Sequence, residues 1–128
     1  MGTEPCKREM PSRLERDLAE YDRIILARGR RAVQGLGAVL GKHFVFRNTD
    51  RKVLILSDMD GGDAAYTGNI VWRHIGEGEM SDILDMYRLY EFSDRLVLFS
   101  QEENFGGLLN FVDTGILTMD EAVESLLL

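Results

Sequence analysis

The sequence predicts a small α+β domain in which a mixed sheet packs with helices, and three observations carry this prediction. The chain has 128 residues, 45% hydrophobic and 29% charged, which is typical of one globular domain. Two continuous apolar runs, 53–56 and 96–99, have the pattern of strands buried on both faces. Apolar residues at three- and four-residue steps indicate helices before, between and after these runs.

The domain organisation follows from the same composition. We expect residues 1–10 to form a flexible N-terminal tail and residues 11–128 to form a single α+β domain. The opening segment lacks the apolar core of a secretory signal, and no stretch approaches the roughly 18 apolar residues of a membrane helix. One cysteine, Cys6, excludes an internal disulfide and a zinc site built from cysteines. We therefore expect a cytoplasmic protein without membrane association.

An N-terminal long helix is the first predicted element. Ser12 and Glu15 have the spacing of a capping box. The apolar positions that follow recur at helical spacing: Leu14, Leu18, Tyr21 and Ile25. The period is interrupted at Gly29 and resumes at Ala32. The segment is therefore either one long helix bent near Gly29 or two helices.

Four strands are predicted next, near residues 44–47, 52–57, 69–75 and 95–100. The last is expected beside the strand at 52–57. Strands that are buried on both faces need helices on each side of the sheet.

Two more helices complete the prediction. A middle helix near 81–92 is expected to begin with Ser81 as its cap. A C-terminal helix near 119–127 follows Thr118, which has the spacing of a capping box with Glu121.

Charge is distributed unevenly along the chain. Residues 1–52 contain 12 Lys and Arg against 7 Asp and Glu, whereas residues 53–128 contain 3 against 15. These balances of +5 and −12 give the net charge of −7. Three interpretations stay open: the basic segment packs beside the acidic half and cancels part of its field, it binds a polyanion, or the acidic half docks on a basic protein surface. Direct nucleic-acid binding is disfavoured, because the net charge repels phosphates.

The turn after the strand at 52–57 is a candidate metal site. Asp58, Asp60 and Asp63 place three carboxylates within six residues, and Gly61 and Gly62 allow the loop to fold around Mg²⁺ or Ca²⁺. The alternative is a solvated turn, since Asp and Gly are common turn residues.

The run VLILSDMDGG resembles the opening motif of haloacid dehalogenase-like phosphatases. The resemblance implies Asp58 as nucleophile and Asp60 as general acid. It covers about ten residues, and Gly62 stands where that family has Thr. The family also uses a downstream Lys, and this chain has none after Lys52. We therefore do not assign the chain to that family.

Two further motifs bear on anion binding. Arg28, Arg30 and Arg31 form a candidate anion site, because guanidinium groups bind phosphate and carboxylate in a fork. The alternative is a solvated helix face. The glycines of segment 35–41 have spacing similar to a dinucleotide-binding loop, but residues 28–34 directly before them do not have the pattern of a buried strand. Close packing between helices is the favoured interpretation of those glycines.

The segment around residues 102–113 is a candidate contact surface for a partner. It combines the apolar residues Phe105 and Phe111 with the acidic residues Glu102, Glu103 and Asp113. An apolar loop of this kind is an interaction patch if it is exposed.

The function predicted from these features is binding, because no candidate catalytic set is complete. We expect a small acidic protein that binds another protein with a basic surface, as a regulator or inhibitor presenting an acidic face. Self-association is compatible with this. The alternative is a Mg²⁺-dependent enzyme that acts on phosphate esters through Asp58, Asp60 and Asp63. No cofactor is expected other than Mg²⁺ or Ca²⁺ at that loop.

Overall fold

A five-stranded sheet organises the molecule. The computed structural model describes residues 12–42, 50–60, 65–67, 69–90, 95–100 and 108–127. The strands are β1 (Arg23–Ala27), β2 (Val53–Ser57), β3 (Ala65–Thr67), β4 (Ile70–His74) and β5 (Leu96–Phe99). The helices are α1 (Ser12–Glu20), α2 (Arg30–Lys42), α3 (Glu77–Tyr90), α4 (Leu108–Asp113) and α5 (Met119–Leu127). The predicted α+β class, with a mixed sheet and N-terminal, middle and C-terminal helices, is confirmed.

The strand order is β3-β4-β2-β1-β5. Strands β4, β2, β1 and β5 run parallel, and β3 is an antiparallel edge strand. From β1 the chain proceeds to β2 and β4 on one side and then returns to place β5 on the other side. The connections therefore reverse direction between β1 and β5. In open α/β sheets, ligands bind outside the carboxyl ends of the strands at such a reversal.

Successive residues of the central strands point to opposite faces of the sheet. On β1, Ile25 and Ala27 belong to a core shared with α2, α4 and α5, which we call the α2 face. Ile24 and Leu26 belong to a second core shared with α1 and α3. The continuous apolar runs in the central strands follow from this double coverage, because neither face of these strands meets water.

The prediction for residues 23–27 was wrong, since this part of the expected long helix is strand β1. Tyr21 and Ile25 continue the helical spacing of α1, which concealed the strand. The run Ile24–Ala27 is nevertheless fully buried, and an amphipathic helix would expose part of it. The expected pairing of β5 with β2 was wrong for the same reason, because β1 lies between them.

The remaining predicted elements agree in kind and differ at their ends. The middle helix begins at Glu77, four residues before Ser81, because its added first turn buries Met80 and places Glu77 and Glu79 near the positive end of the helix. The C-terminal helix spans 119–127 as predicted. The predicted strand at 44–47 and the predicted tail at 1–10 lie outside the described residues. In the described part of the chain, no helix has the length and apolar character needed to cross a membrane.

Candidate functional site

The turn between β1 and α2 lies at the carboxyl edge of the sheet. The backbone N–H of Arg28 donates to the carbonyl of Phe99 at 3.1 Å, which joins the ends of β1 and β5. Gly29 follows with φ +93°, a conformation that favours glycine, and its carbonyl accepts the N–H of Val33 at 3.1 Å. The turn thus directs Arg30 and Arg31 into the first turn of α2.

The residues predicted to bind metal are only partly described. The Asp58 carboxylate accepts a hydrogen bond from the Gly29 backbone N–H at 3.1 Å, so it braces the β1–α2 turn from the end of β2. Asp60 is exposed, and Asp63 lies outside the described residues. Among the residues that the structure describes, no group of three or more His, Cys, Asp and Glu side chains could hold a metal ion. The three-carboxylate metal site stays a prediction.

A groove of about 490 Å³ lies between the first two turns of α2 and the start of α5. Arg30, Arg31, Gln34, Gly35 and Met119 line it. A Cβ atom on Gly35 would lie 2.6 Å from the Met119 Cε atom, so glycine allows the close approach of α2 and α5. The glycines of segment 35–41 therefore lie within α2, and Gly35 serves helix packing rather than a strand-to-helix loop. Arg28, the third predicted anion-binding residue, does not line this groove.

Two ion pairs connect the basic front of the chain to its acidic rear. The guanidinium of Arg31 contacts Asp113 Oδ1 at 2.6 Å through both Nε and Nη2, and Lys42 Nζ lies 3.6 Å from Asp120 Oδ1. Two residues predicted for different roles, Arg31 for anions and Asp113 for a partner, thus contact each other. Part of the charge asymmetry seen in sequence is cancelled locally in this way.

A second cluster of charges lies on the opposite face of the sheet, between α1 and β4. Arg73 Nη1 contacts Asp17 Oδ2 at 3.0 Å, and Asp17 is buried. Burial raises the pKa of the neighbouring Tyr21 phenol above its ordinary value, and the carboxylate of Glu20 adds to that increase. The pairing holds α1 against the sheet and accounts for the cluster structurally.

The corner between α4 and α5 exposes apolar surface. Helix α4 ends in a Schellman motif: Gly115 has φ +82°, its N–H donates to Val112, and the Ile116 N–H donates to Phe111. This motif commonly brings together the side chains at its two ends, here Phe111 and Ile116. Their exposed fractions are 43% and 67%, and they are the large hydrophobic residues exposed among those the structure describes.

The structure describes only two of the five predicted partner-binding residues. Phe111 and Asp113 lie at the corner, and Glu102, Glu103 and Phe105 lie outside the described residues. Ile116 was not predicted. The sequence did contain a signal for it. In a Schellman ending, a glycine is commonly followed by an apolar residue that lies five positions after another apolar residue, as Ile116 does after Phe111.

Comparison with known proteins gives no significant match. No protein-family model matches the chain, and no curated protein or solved structure is significantly similar to it.

Proposed function

We propose that the protein acts by binding another protein, and that the contact surface is the α4–α5 corner. The observation that supports this most directly is the exposure of Phe111 and Ile116, whose backbones are joined by a hydrogen bond across one turn. Burying exposed apolar surface drives protein association, and aromatic residues are enriched at the centres of interfaces.

The charge around the corner indicates the chemistry of the partner. Residues 108–127 contain four acidic side chains and no Lys or Arg. Two of them, Asp113 and Asp120, pair with Arg31 and Lys42 from α2, whereas Glu121 and Glu124 are exposed. A partner that fits this surface presents an apolar pocket with a basic rim. The exposed carboxylates then increase the association rate, and salt screens that effect.

The test begins with the tagged full-length protein as bait in a native cell extract at low and high ionic strength. The variants are Ile116→Ser and Phe111→Ala, and the matched control is Ala19→Ser, an exposed apolar-to-polar change on α1. A candidate partner is a protein captured by wild type and by the control but not by the two corner variants. It is then purified and titrated against each bait.

We expect each corner variant to weaken the measured affinity by about five- to thirtyfold, which corresponds to a loss of roughly 1–2 kcal/mol for a central apolar contact. Glu124→Gln is expected to lower the salt dependence of association with a smaller effect on affinity. Equal affinity of wild type and both corner variants for every captured protein would contradict the proposal, and so would the absence of any captured protein.

A further inference from the structure

We infer that the groove lined by Arg30, Arg31, Gln34, Gly35 and Met119 binds a small ligand that carries a phosphate group, and that Asp113 competes with this ligand for Arg31. The residues that line this groove do not include Phe111 or Ile116, although Asp113 at the α4–α5 corner pairs with Arg31, and ligand binding there does not depend on the proposed partner. It rests on the groove, on the ion pair at its edge and on the topology of the sheet.

The groove has the size and chemistry of a small-molecule site. Its volume of about 490 Å³ lies within the range of roughly 300–1,000 Å³ that is usual for such sites. The guanidinium groups of Arg30 and Arg31 and the amide of Gln34 supply hydrogen-bond donors. Gly35 and Met119 supply an apolar surface without charge. A ligand with an anionic end and an uncharged remainder matches this arrangement.

The contact between Arg31 and Asp113 shows that this guanidinium binds an oxyanion in its present conformation. One carboxylate oxygen of Asp113 lies 2.6 Å from both Nε and Nη2, so this edge of the guanidinium already faces an oxyanion oxygen. The two side chains are 43% and 33% exposed, so water and other anions can reach the pair. Exposed ion pairs of this kind contribute little to stability and are easily displaced.

Phosphate suits the groove better than a second carboxylate does. A phosphate group offers three acceptor oxygens and up to two negative charges, which matches a groove lined by two guanidinium groups. The carboxylate of Asp113 engages Arg31 through a single oxygen. A phosphate ligand also carries more negative charge than this carboxylate, which favours phosphate at a groove lined by two guanidinium groups.

One end of the groove, at Arg30 and Arg31, lies close in sequence to the carboxyl end of β1, and the other lining residues belong to α2 and α5. Arg30 and Arg31 follow β1, and the chain reverses direction between β1 and β5. Ligands of open α/β sheets bind near the carboxyl ends of strands at such a reversal. The net charge of −7 opposes anions at long range, but screening over about 8 Å at physiological ionic strength leaves the local guanidinium groups dominant.

The test is an NMR titration of the ¹⁵N-labelled full chain with inorganic phosphate, adenosine monophosphate and adenosine, with ionic strength held constant by chloride. Phosphate and the monophosphate are expected to shift the backbone amides of residues 30–35 in a saturable way, and adenosine is not. The monophosphate is expected to bind more tightly than phosphate, because its remainder contacts Gly35 and Met119.

Matched variants separate a site from general charge effects. Asp113→Asn releases Arg31 and is expected to raise phosphate affinity about two- to fivefold, as estimated from the strength of exposed ion pairs. Asp120→Asn changes the net charge equally at the other ion pair between α2 and the rear of the chain, and no change in affinity is expected. Arg31→Gln is expected to lower affinity about tenfold, and Lys42→Gln, its charge-matched control, to leave it unchanged.

Arg30→Gln serves as a second variant with an exposed side chain, and it is expected to weaken phosphate binding as Arg31→Gln does. Each variant is compared only after its amide spectrum and thermal midpoint are shown to match those of wild type. Equal responses of Asp113→Asn and Asp120→Asn would overturn the inference, because they would indicate general electrostatics. It would also be overturned by the absence of saturable shifts with millimolar phosphate, or by shifts from adenosine without shifts from phosphate.

Discussion

The Ser57→Ala variant tests the two buried hydrogen bonds that Ser57 makes on the α2 face of the sheet. The Ser57 hydroxyl is fully buried, accepts a hydrogen bond from Trp72 Nε1 at 2.7 Å and donates to the Met59 carbonyl at 2.6 Å. Ser57→Ala removes both bonds and leaves the buried indole N–H without its acceptor. An unsatisfied buried donor costs about 1–3 kcal/mol, so we expect a loss of about 2 kcal/mol in the free energy of unfolding.

The assay is urea unfolding followed by circular dichroism. A loss of about 2 kcal/mol corresponds to a decrease of roughly 7 °C in Tm for a chain of this length. Ser125→Ala is the matched control: its hydroxyl also donates to a carbonyl, that of Glu121, but it is exposed. We expect the control to change stability by less than about 0.5 kcal/mol.

A double-mutant cycle with Trp72→Phe separates the hydrogen bond from loss of volume. Without the indole N–H, Ser57→Ala should cost about 1 kcal/mol less than it does in wild type. If Ser57→Ala costs no more than Ser125→Ala, or if the two changes at Ser57 and Trp72 are additive, the argument about the buried donor is refuted.

Four further changes have expected outcomes. Thr118→Ala removes one half of the capping box of α5, in which the Glu121 N–H donates to Thr118 Oγ1 at 3.1 Å, and should destabilise by about 1 kcal/mol in urea unfolding. Gly115→Ala places a Cβ at φ +82° and should cost about 1–2 kcal/mol in the same assay, and no loss would contradict the strain argument. Millimolar Mg²⁺, Mn²⁺ or Ca²⁺ should leave Tm unchanged, whereas an increase that Asp58→Asn abolishes would support the magnesium-dependent enzyme instead. The raised pKa of the Tyr21 phenol means that the folded protein binds this proton more tightly than the unfolded chain does. The resulting contribution to the free energy of unfolding is present below pH 10.0 and is lost as pH rises through the folded-state pKa. Tyr21→Phe should therefore reduce the alkaline loss of stability in denaturant titrations.

Apolar continuity predicted β2 and β5 correctly, and the same signal was present in Ile24–Ala27. That strand was missed because Tyr21 and Ile25 also satisfy the helical period of α1. A short apolar run fits both a buried strand and one side of a helix, and the two are distinguished by tertiary burial, which the local sequence does not contain. The C-terminal helix was predicted closely, because the reciprocal bonds of Thr118 and Glu121 depend on local spacing alone.

The candidate sites likewise differ in whether local sequence or tertiary packing determines them. Phe111 was predicted as a contact residue from local composition; the structure shows that it is exposed, and its contact with a partner stays a prediction. The groove joins Arg30 and Arg31 to Met119, almost ninety residues further along the chain, and no periodicity connects them. The contact of Arg31 with Asp113 likewise depends on the packing of α4 beside α2. Charge counting gave packing of the basic segment beside the acidic half as one of three interpretations, and it did not indicate which side chains meet.

The side chain of Arg23, at the start of β1, donates to the carbonyls of Ser125 and Leu126 at the end of α5, at 3.3 and 2.7 Å. Arg23 is synthesised early, but the carbonyl groups that accept its hydrogen bonds belong to residues about a hundred positions later in the chain. During translation β1, α2 and β2 can associate as soon as β2 leaves the ribosome, but the part of the α2 face that α5 covers stays exposed until residues through Leu127 emerge. The nascent chain thus exposes part of an apolar sheet surface while its second half is made, and this is the interval in which a chaperone would bind that surface.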